Sequence, residues 1–380
     1  MNIQEEIFRK TLDHFLKPIL IYLNDTSVTE VMINGPREIY IERGGKIHNT
    51  DARFDNDLAL LAAAKNIAQY TGKRISRDYP RVDCRLPDGS RVHIITAPAS
   101  RRGLSMAIRK FSRDKLTMEK LVSYGAIVPT MVEFLQICVV AEKNMLVSGG
   151  TGSGKTSLLN SLSAFIPDHE RVLVLEDSSE LQLQQEHVLY FEVQHPDRYG
   201  KGGVSIRELF HSALRLRPDR IIIGEIRGGE ALDLIQAMTS GHGGSMSTNH
   251  ANTPEDALRR LETMALMSGI DIPLFALRSQ IGSAIDIVVQ TSRFNDGSRK
   301  ITHISEVLPL TKEGNYQLQH LFMFRAEGED PKGKVLGKHV WTSKVPEFAA
   351  EVYGKGLKRF VNLTAPMLAS GETKAFNPSH

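Results

Sequence analysis

Residues 149–156 read Gly-Gly-Thr-Gly-Ser-Gly-Lys-Thr, and nothing else in the chain constrains its fold as tightly. The spacing is G-x-x-x-x-G-K-[ST], preceded by a strand-like run (NMLVS, 144–148) and followed by helical spacing (SLLNSL, 157–162). Glycines let successive backbone N–H groups curl around an anion. A lysine at this offset reaches the outer phosphates of a nucleoside triphosphate, and the hydroxyl after it is a Mg²⁺ ligand. The candidate phosphate-binding set is therefore Gly150, Thr151, Gly152, Ser153, Gly154, Lys155, Thr156 and Ser157. Lys155 also counts as catalytic, through its charge on the transferred phosphoryl group, and Thr156 is the candidate metal ligand.

A strand, phosphate loop and helix in succession place the loop at a strand's carboxyl end in a parallel sheet. The alternation extends in both directions: a helix over 129–142, strand 144–148, helix 155–165, strand 171–177, helix 205–215 and strand 220–225. The first third of the chain reads differently. Helical spacing covers 4–23, and alternating strands at 28–33, 38–43 and 45–50 are separated by Asn34-Gly35-Pro36 and Gly44-Gly45. A helix over 57–70, a hairpin (81–86 and 91–97) around Pro87-Asp88-Gly89 and a strand at 104–111 complete an α+β pattern. The expected organisation is a smaller α+β amino-terminal domain (1–112), a linker with a short helix (113–128), an α/β nucleotide domain (129–325) and a tail (326–380). That tail is polar and punctuated, with one helix near 345–359 and a last dozen residues that read as disordered.

Charge narrows the function. Among 380 residues, 47 Lys and Arg against 44 Asp and Glu leave +3, which gives little support to tight nonspecific nucleic-acid binding. No apolar run approaches about 18–20 residues, and the chain starts MNIQEEIFRK, so the expectation is a cytoplasmic protein that meets a membrane only through partners. Cys84 and Cys138 cannot build a four-thiolate zinc site and read as reduced, buried residues.

Hydrolysis of a triphosphate needs an oriented water and positive charge on the leaving oxygens. Residues 220–225 (RIIIGE) form a buried-strand pattern ending in Glu225, the first choice to orient the water; a surface pairing with Arg227 is the alternative. Glu176 and Asp177, with Glu180, end the strand at 171–177 and stand as the other candidate base or as holders of Mg²⁺-bound water. His242 and His250 lie in GHGGSMSTNH, too far apart and without cysteines for a strong metal pattern, and fit a neutral histidine that senses the γ-phosphate. Arg81, Arg85, Arg91, Arg101, Arg102, Arg109 and Lys110 cluster on or beside the amino-terminal strands. A planar guanidinium suits a phosphate contact; a solvated strand face is the plain alternative.

In this order, GGTGSGKT, LEDSSEL, IIIGEIRGGEALD and GHGGSMSTNHA resemble the Walker A loop, Asp box, Walker B and His box of the secretion-type motor ATPases. Those motors drive type II and type IV secretion and pilus assembly and retraction. The likeness runs from about residue 25 to 325, and LRLRPDRIIIGEIRGGEALDLIQAM is most similar to the CpaF group of tight-adherence (Flp) pilus motors. It implies a RecA-like P-loop domain behind a smaller α+β domain. It assigns Lys155 and Thr156 to the phosphate loop, Glu176 and Asp177 to the Asp box, Glu225 to Walker B, and His242 and His250 to the His box. Arg91 and Arg109 match the strand arginines that touch the γ-phosphate across an interdomain cleft, and Arg215 matches another recurrent arginine. Related branches carry a tetracysteine zinc insertion or an AIRNLI-like helix, and this chain has neither. Asn249 replaces a usual apolar residue in the His box.

The resemblance further implies a homohexamer that hydrolyses Mg²⁺-ATP and loads an integral inner-membrane pilus platform protein. Two other classes compete. One is a nucleic-acid translocase or recombinase on a RecA-like core, disfavoured by the near-neutral charge and the lack of interleaved aromatic and basic residues. The other is an ATP-binding scaffold, disfavoured by the intact Lys155, Thr156 and Glu225.

Overall fold

In a computed structural model, which describes residues 3–111, 116–196 and 200–376, the chain divides into two units, 1–114 and 115–380. The expected boundary at Ser112 lies outside the described residues.

In the first unit, helix α1 (Ile3–Phe15) is followed by a 3₁₀ turn at Lys17–Ile19 and a short α2 (Leu20–Asn24). One helix over 4–23 was the expectation from spacing; Pro18 breaks it because proline has no N–H and disfavours helical backbone at the residue before it. Strands β1 (Val28–Asn34), β2 (Ile39–Arg43) and β3 (Lys46–Asn49), helix α3 (Asp57–Tyr70), and strands β4 (Arg81–Arg85), β5 (Arg91–Ile95) and β6 (Ser105–Arg109) follow the sequence pattern closely. Asn56 caps α3 by accepting the Ala59 N–H at 2.9 Å. The six strands form one antiparallel sheet, ordered β3-β2-β1-β6-β5-β4. Alternate strand residues (Val31, Ile33, Ile39, Ile41, Val92, Ile94, Met106, Ile108) share a core with Leu60, Ala63 and Ile67 of α3 and Leu12 and Leu16 of α1.

The second unit begins earlier than the sequence pattern implies. Residues 116–128, expected as a connecting segment with a helix, carry that helix as α4 (Met118–Ser123) and bury Met118 and Ile127 in the core of this unit. Then come α5 (Pro129–Val140), β7 (Met145–Gly149), α6 (Lys155–Ser163), β8 (Val172–Glu176), β9 (Val188–Glu192), α7 (Ile206–Ala213), β10 (Arg220–Ile223), α8 (Glu230–Thr239), β11 (Met246–Asn249), α9 (Pro254–Leu266), α10 (Leu274–Ala284), β12 (Ile287–Arg293) and β13 (Arg299–Leu308). Six strands are parallel in the order β12-β7-β11-β10-β8-β9, and β13 adds to β12 antiparallel. Because both faces are covered by helices, the inner strands β7, β8 and β10 read as largely apolar runs. Their residues divide by parity: Met145, Val147, Val172, Val174 and Ile222 face α5 and α6, while Leu146, Leu173, Leu175, Ile221 and Ile223 face α7, α8, α9 and α10.

The stretch after 325, expected as a polar segment with one helix and a disordered last dozen residues, holds more structure than that, with helix as far as 376. It continues β14 (Gln317–Glu329) and adds β15 (Val335–Trp341), α11 (Ala349–Gly354) and α12 (Ala365–Phe376). β14 and β15 extend the sheet antiparallel from β13. Val352, Met367 and Leu368 enter the core that α5 and α6 share. Its polarity reflects partial burial: β15 is the last strand of the sheet and is exposed over much of its length. Cys84 and Cys138 are both buried and unbridged. Among the described residues no helix is long and apolar enough to cross a membrane.

Candidate active site

The phosphate loop leaves β7 at the carboxyl edge of the parallel strands and enters α6 at Lys155. Gly154, with φ +96°, is the residue before the helix; a side chain there would be strained. At Gly149 the constraint is space. A Cβ would lie 2.3 Å from Thr291 Oγ1 and 2.4 Å from Ser153 Oγ. Those two hydroxyls are 2.8 Å apart, tying the loop to β12.

Within the loop, the Gly150 carbonyl accepts from Ser153 Oγ–H at 2.9 Å, from the Lys155 ammonium at 3.1 Å and from the Ser153 N–H at 3.3 Å. Three donors thus converge on one oxygen, as phosphate oxygens require. Lys155 is 7% exposed, so its charge acts in a site with little water around it. The Lys155 Nζ also lies 3.4 Å from His250 Nδ1.

His250 joins the loop to the carboxylate that ends the Walker B segment. Its Nε2 is 2.7 Å from Glu225 Oε1. Because Nδ1 faces an ammonium that can only donate, the proton sits on Nε2 and is donated to Glu225. Burial, then the Lys155 charge, holds the imidazole below the usual histidine range, with Arg260 and Arg227 adding to the effect and Glu225 opposing it. The other Glu225 oxygen accepts from Arg227 Nε at 2.6 Å, and Arg227 Nη1 reaches Asp177 Oδ2 at 2.9 Å. A continuous chain, Lys155, His250, Glu225, Arg227 and Asp177, therefore runs along the sheet edge. Strand register explains it: β11 pairs with β7 from Met246↔Met145 to Asn249↔Ser148, so His250 emerges beside the phosphate loop.

The same register places two other candidates away from the loop. His242 precedes β11 and so lies at the amino edge of the strands, opposite the phosphate loop; its backbone N–H bonds Ala237 O at the end of α8. Arg215 is exposed on the 3₁₀ turn (Leu214–Leu216) before β10, again at the amino edge, whereas Glu225 follows that strand's carboxyl end. Neither residue meets the phosphate loop within this chain.

Glu176 is at the right edge but its Oε1 accepts the N–H groups of Glu180 (2.8 Å) and Leu181 (3.0 Å), and it is 4% exposed. It shapes the loop after β8. The alternative pairing of Glu225 with Arg227 is real, yet it coexists with the His250 contact. Asn249, the odd residue of its segment, is buried and donates to Ala257 O at 2.9 Å, which pins the start of α9. In the amino-terminal unit, Arg91 pairs in register with Arg109 on one side and Arg85 on the other, so the three form a row across β4, β5 and β6. Glu30 of β1 continues that row next to Arg109. Burial raises the Glu30 carboxyl and Arg109 counteracts it.

Three neighbours of the loop escaped sequence reasoning: Thr291, Arg293 and Arg299 come from β12 and β13, more than a hundred residues downstream, and no local motif marks them.

Residues 14–310 match the family described as type II/IV secretion system protein. The chain belongs to that family. It is 34% identical over 331 residues to the type IV secretion system protein VirB11 of Bartonella quintana, covering 76% of this chain and 91% of that one. It is likewise 34% identical over 312 residues to the type IV secretion system protein PtlH of Bordetella pertussis, covering 74% of this chain and 91% of that one. Among solved structures, the ATPase DotB of Legionella pneumophila superposes with a TM-score of 0.54 at 16% identity, over 95% of this chain and 87% of that one, a likeness of fold. This chain is a secretion motor ATPase by superfamily and an ATP hydrolase by activity, with a smaller α+β unit followed in the chain by a RecA-like P-loop unit.

Proposed function

We propose that this chain is the motor ATPase of a tight-adherence (Flp), type IV-like pilus, working in the cytoplasm as a homohexamer that pushes on integral inner-membrane platform proteins. The long 214–238 segment supports the CpaF-like assignment, and the bridge from Lys155 through His250 to Glu225 is the observation that carries the hydrolytic reading. Lys155 and the loop amides hold the β- and γ-phosphates. Glu225 orients the attacking water and takes its proton, while His250 and Arg227 fix the carboxylate's two oxygens.

The Thr156 hydroxyl, at the second residue of α6, makes no side-chain hydrogen bond among the described residues, and oxygen donors are what Mg²⁺ takes, so it fits the metal. Bound there, the cation would neutralise charge on the phosphates. Asp177 stands nearest in role for a water in the metal's shell. Arg91 and Arg109, whose forks share one row of the amino-terminal sheet, are assigned to the γ-phosphate. Loss of that phosphate would release them, giving the cycle its motion.

The test is native mass with and without Mg²⁺ and a nonhydrolysable ATP analogue, beside phosphate release. A six-subunit particle whose turnover vanishes in Lys155→Ala is expected. A monomer with no turnover under either condition would replace the motor by a scaffold.

A further inference from the structure

Beyond residue 310 the chain leaves the segment matched to its family, yet what it builds there returns to the phosphate loop. Past Met323, β14 runs on with β15 as a two-stranded ribbon that folds over the turn between β12 and β13. The Phe324 ring lies 5.6 Å from that of Phe294 in the turn and 5.0 Å from that of His339 in β15. Lys300 Nζ is 5.8 Å from the same ring. Gly337 makes the approach possible: a Cβ there would sit 2.6 Å from Phe324 Cζ. Asp296 completes the attachment, accepting the Ser298 N–H at 2.8 Å within the turn and the Val335 N–H at 2.9 Å from the ribbon.

The braced turn carries two arginines, Arg293 and Arg299, paired in register at the ends of β12 and β13. Arg299 Nε donates to Gly152 O at 2.8 Å, and Arg293 Nη1 lies 3.2 Å from where a Gly152 Cβ would be. The geometry of the peptide gives this contact a consequence. C=O and N–H of one trans peptide point in opposite directions, so holding Gly152 O outward aims the Ser153 N–H at the loop interior. There it meets Gly150 O at 3.3 Å, a long bond that a phosphate oxygen can replace.

We propose that Arg299 is a positioning residue of the phosphate loop and that the β14–β15 ribbon holds it in place, so that the carboxy-terminal segment sets nucleotide affinity. This rests on the reading of residues 149–156 as the nucleotide site. Arg299 acts through the loop and leaves Lys155, His250 and Glu225 untouched, so affinity moves and turnover at saturation does not.

Full-length R299M, which keeps the stem but has no donor, is compared with R299K by calorimetric titration with ADP and by the KM and kcat of ATP hydrolysis. Loss of one charge-assisted hydrogen bond predicts about tenfold weaker ADP binding and a matching rise in KM, with kcat within about twofold of the parent. One donor suffices for a single acceptor, so R299K recovers most of the affinity. D296A, which removes the Val335 attachment between ribbon and turn, weakens ADP binding about threefold by the same logic. Unchanged ADP affinity in R299M, or a fall in kcat at constant KM, overturns the role of Arg299; unchanged affinity in D296A overturns that of the ribbon. If R299M fails to fold, R299A, which also lacks the donor, carries the same test: about tenfold weaker ADP binding supports the role of Arg299 and parental affinity overturns it. K155A tests the underlying site separately: ADP binding at parental strength there removes the nucleotide reading itself.

Discussion

Replacing His250 with alanine removes a group that touches both Lys155 and Glu225. A hydrogen bond to a charged acceptor contributes about 1.5–3 kcal/mol, and His250 is partly open to solvent, so about 1–2 kcal/mol is the appropriate share for the Nε2–H bond to Glu225. If that bond sets the carboxylate for water activation, turnover falls by about 5- to 30-fold. The contact to Lys155 is long at 3.4 Å, so nucleotide affinity changes little. The assay is steady-state phosphate release at saturating Mg²⁺-ATP, with ADP titration alongside. The pH profile adds a second test. The imidazole is held below its usual range by burial and by Lys155, so its neutral form belongs to the native site. Its contribution is complete above the ordinary histidine value of about 6.5 and is lost as pH falls through the depressed folded value. The parent enzyme should therefore lose turnover on the acid side, and H250A should lose that limb. Turnover within twofold of the parent, or a pure loss of affinity, would refute the reasoning.

Two other substitutions probe the fold around the site. Asn249→Leu gives up one bond to Ala257 O but also removes a buried amide oxygen that has no hydrogen-bond partner among the described residues; thermal unfolding should show unchanged or higher stability, by about 1 kcal/mol, and a loss of that size would contradict the accounting. Glu306, pushed up to about 7 chiefly by burial, contributes stability that is complete at low pH and is lost as pH rises through that value; Glu306→Gln should remove most of this fall, leaving the variant about 2 kcal/mol better off than the parent at pH 8 when the two are matched at pH 5 in urea melts.

What the sequence made legible is what local chemistry encodes. The phosphate loop, its strand and helix, and Glu225 at a strand's carboxyl end all follow from neighbours in the chain. His242 and His250 look equivalent in a ten-residue window, but the four-residue strand between them delivers one to each edge of the sheet. Arg215 lies away from the loop for the same reason, one strand away. Glu176 has the right location and a different task, because the amides of Glu180 and Leu181 turn back on it, which no charge pattern foretells. Arg299 was invisible because its value depends on pairing across 147 residues. The carboxy-terminal segment misled through composition: an edge ribbon and a one-sided helix need few apolar residues, and Met367 and Leu368 suffice to seat α12.

Hydrolysis in this site centres on Glu225, and the direct measurement is phosphate release by Glu225→Gln beside its ATP binding. The amide keeps the size and an acceptor for His250 but cannot take a proton. Retained binding with hydrolysis reduced by about a hundredfold or more is the predicted result; parental turnover with intact binding would mean that another group handles the water.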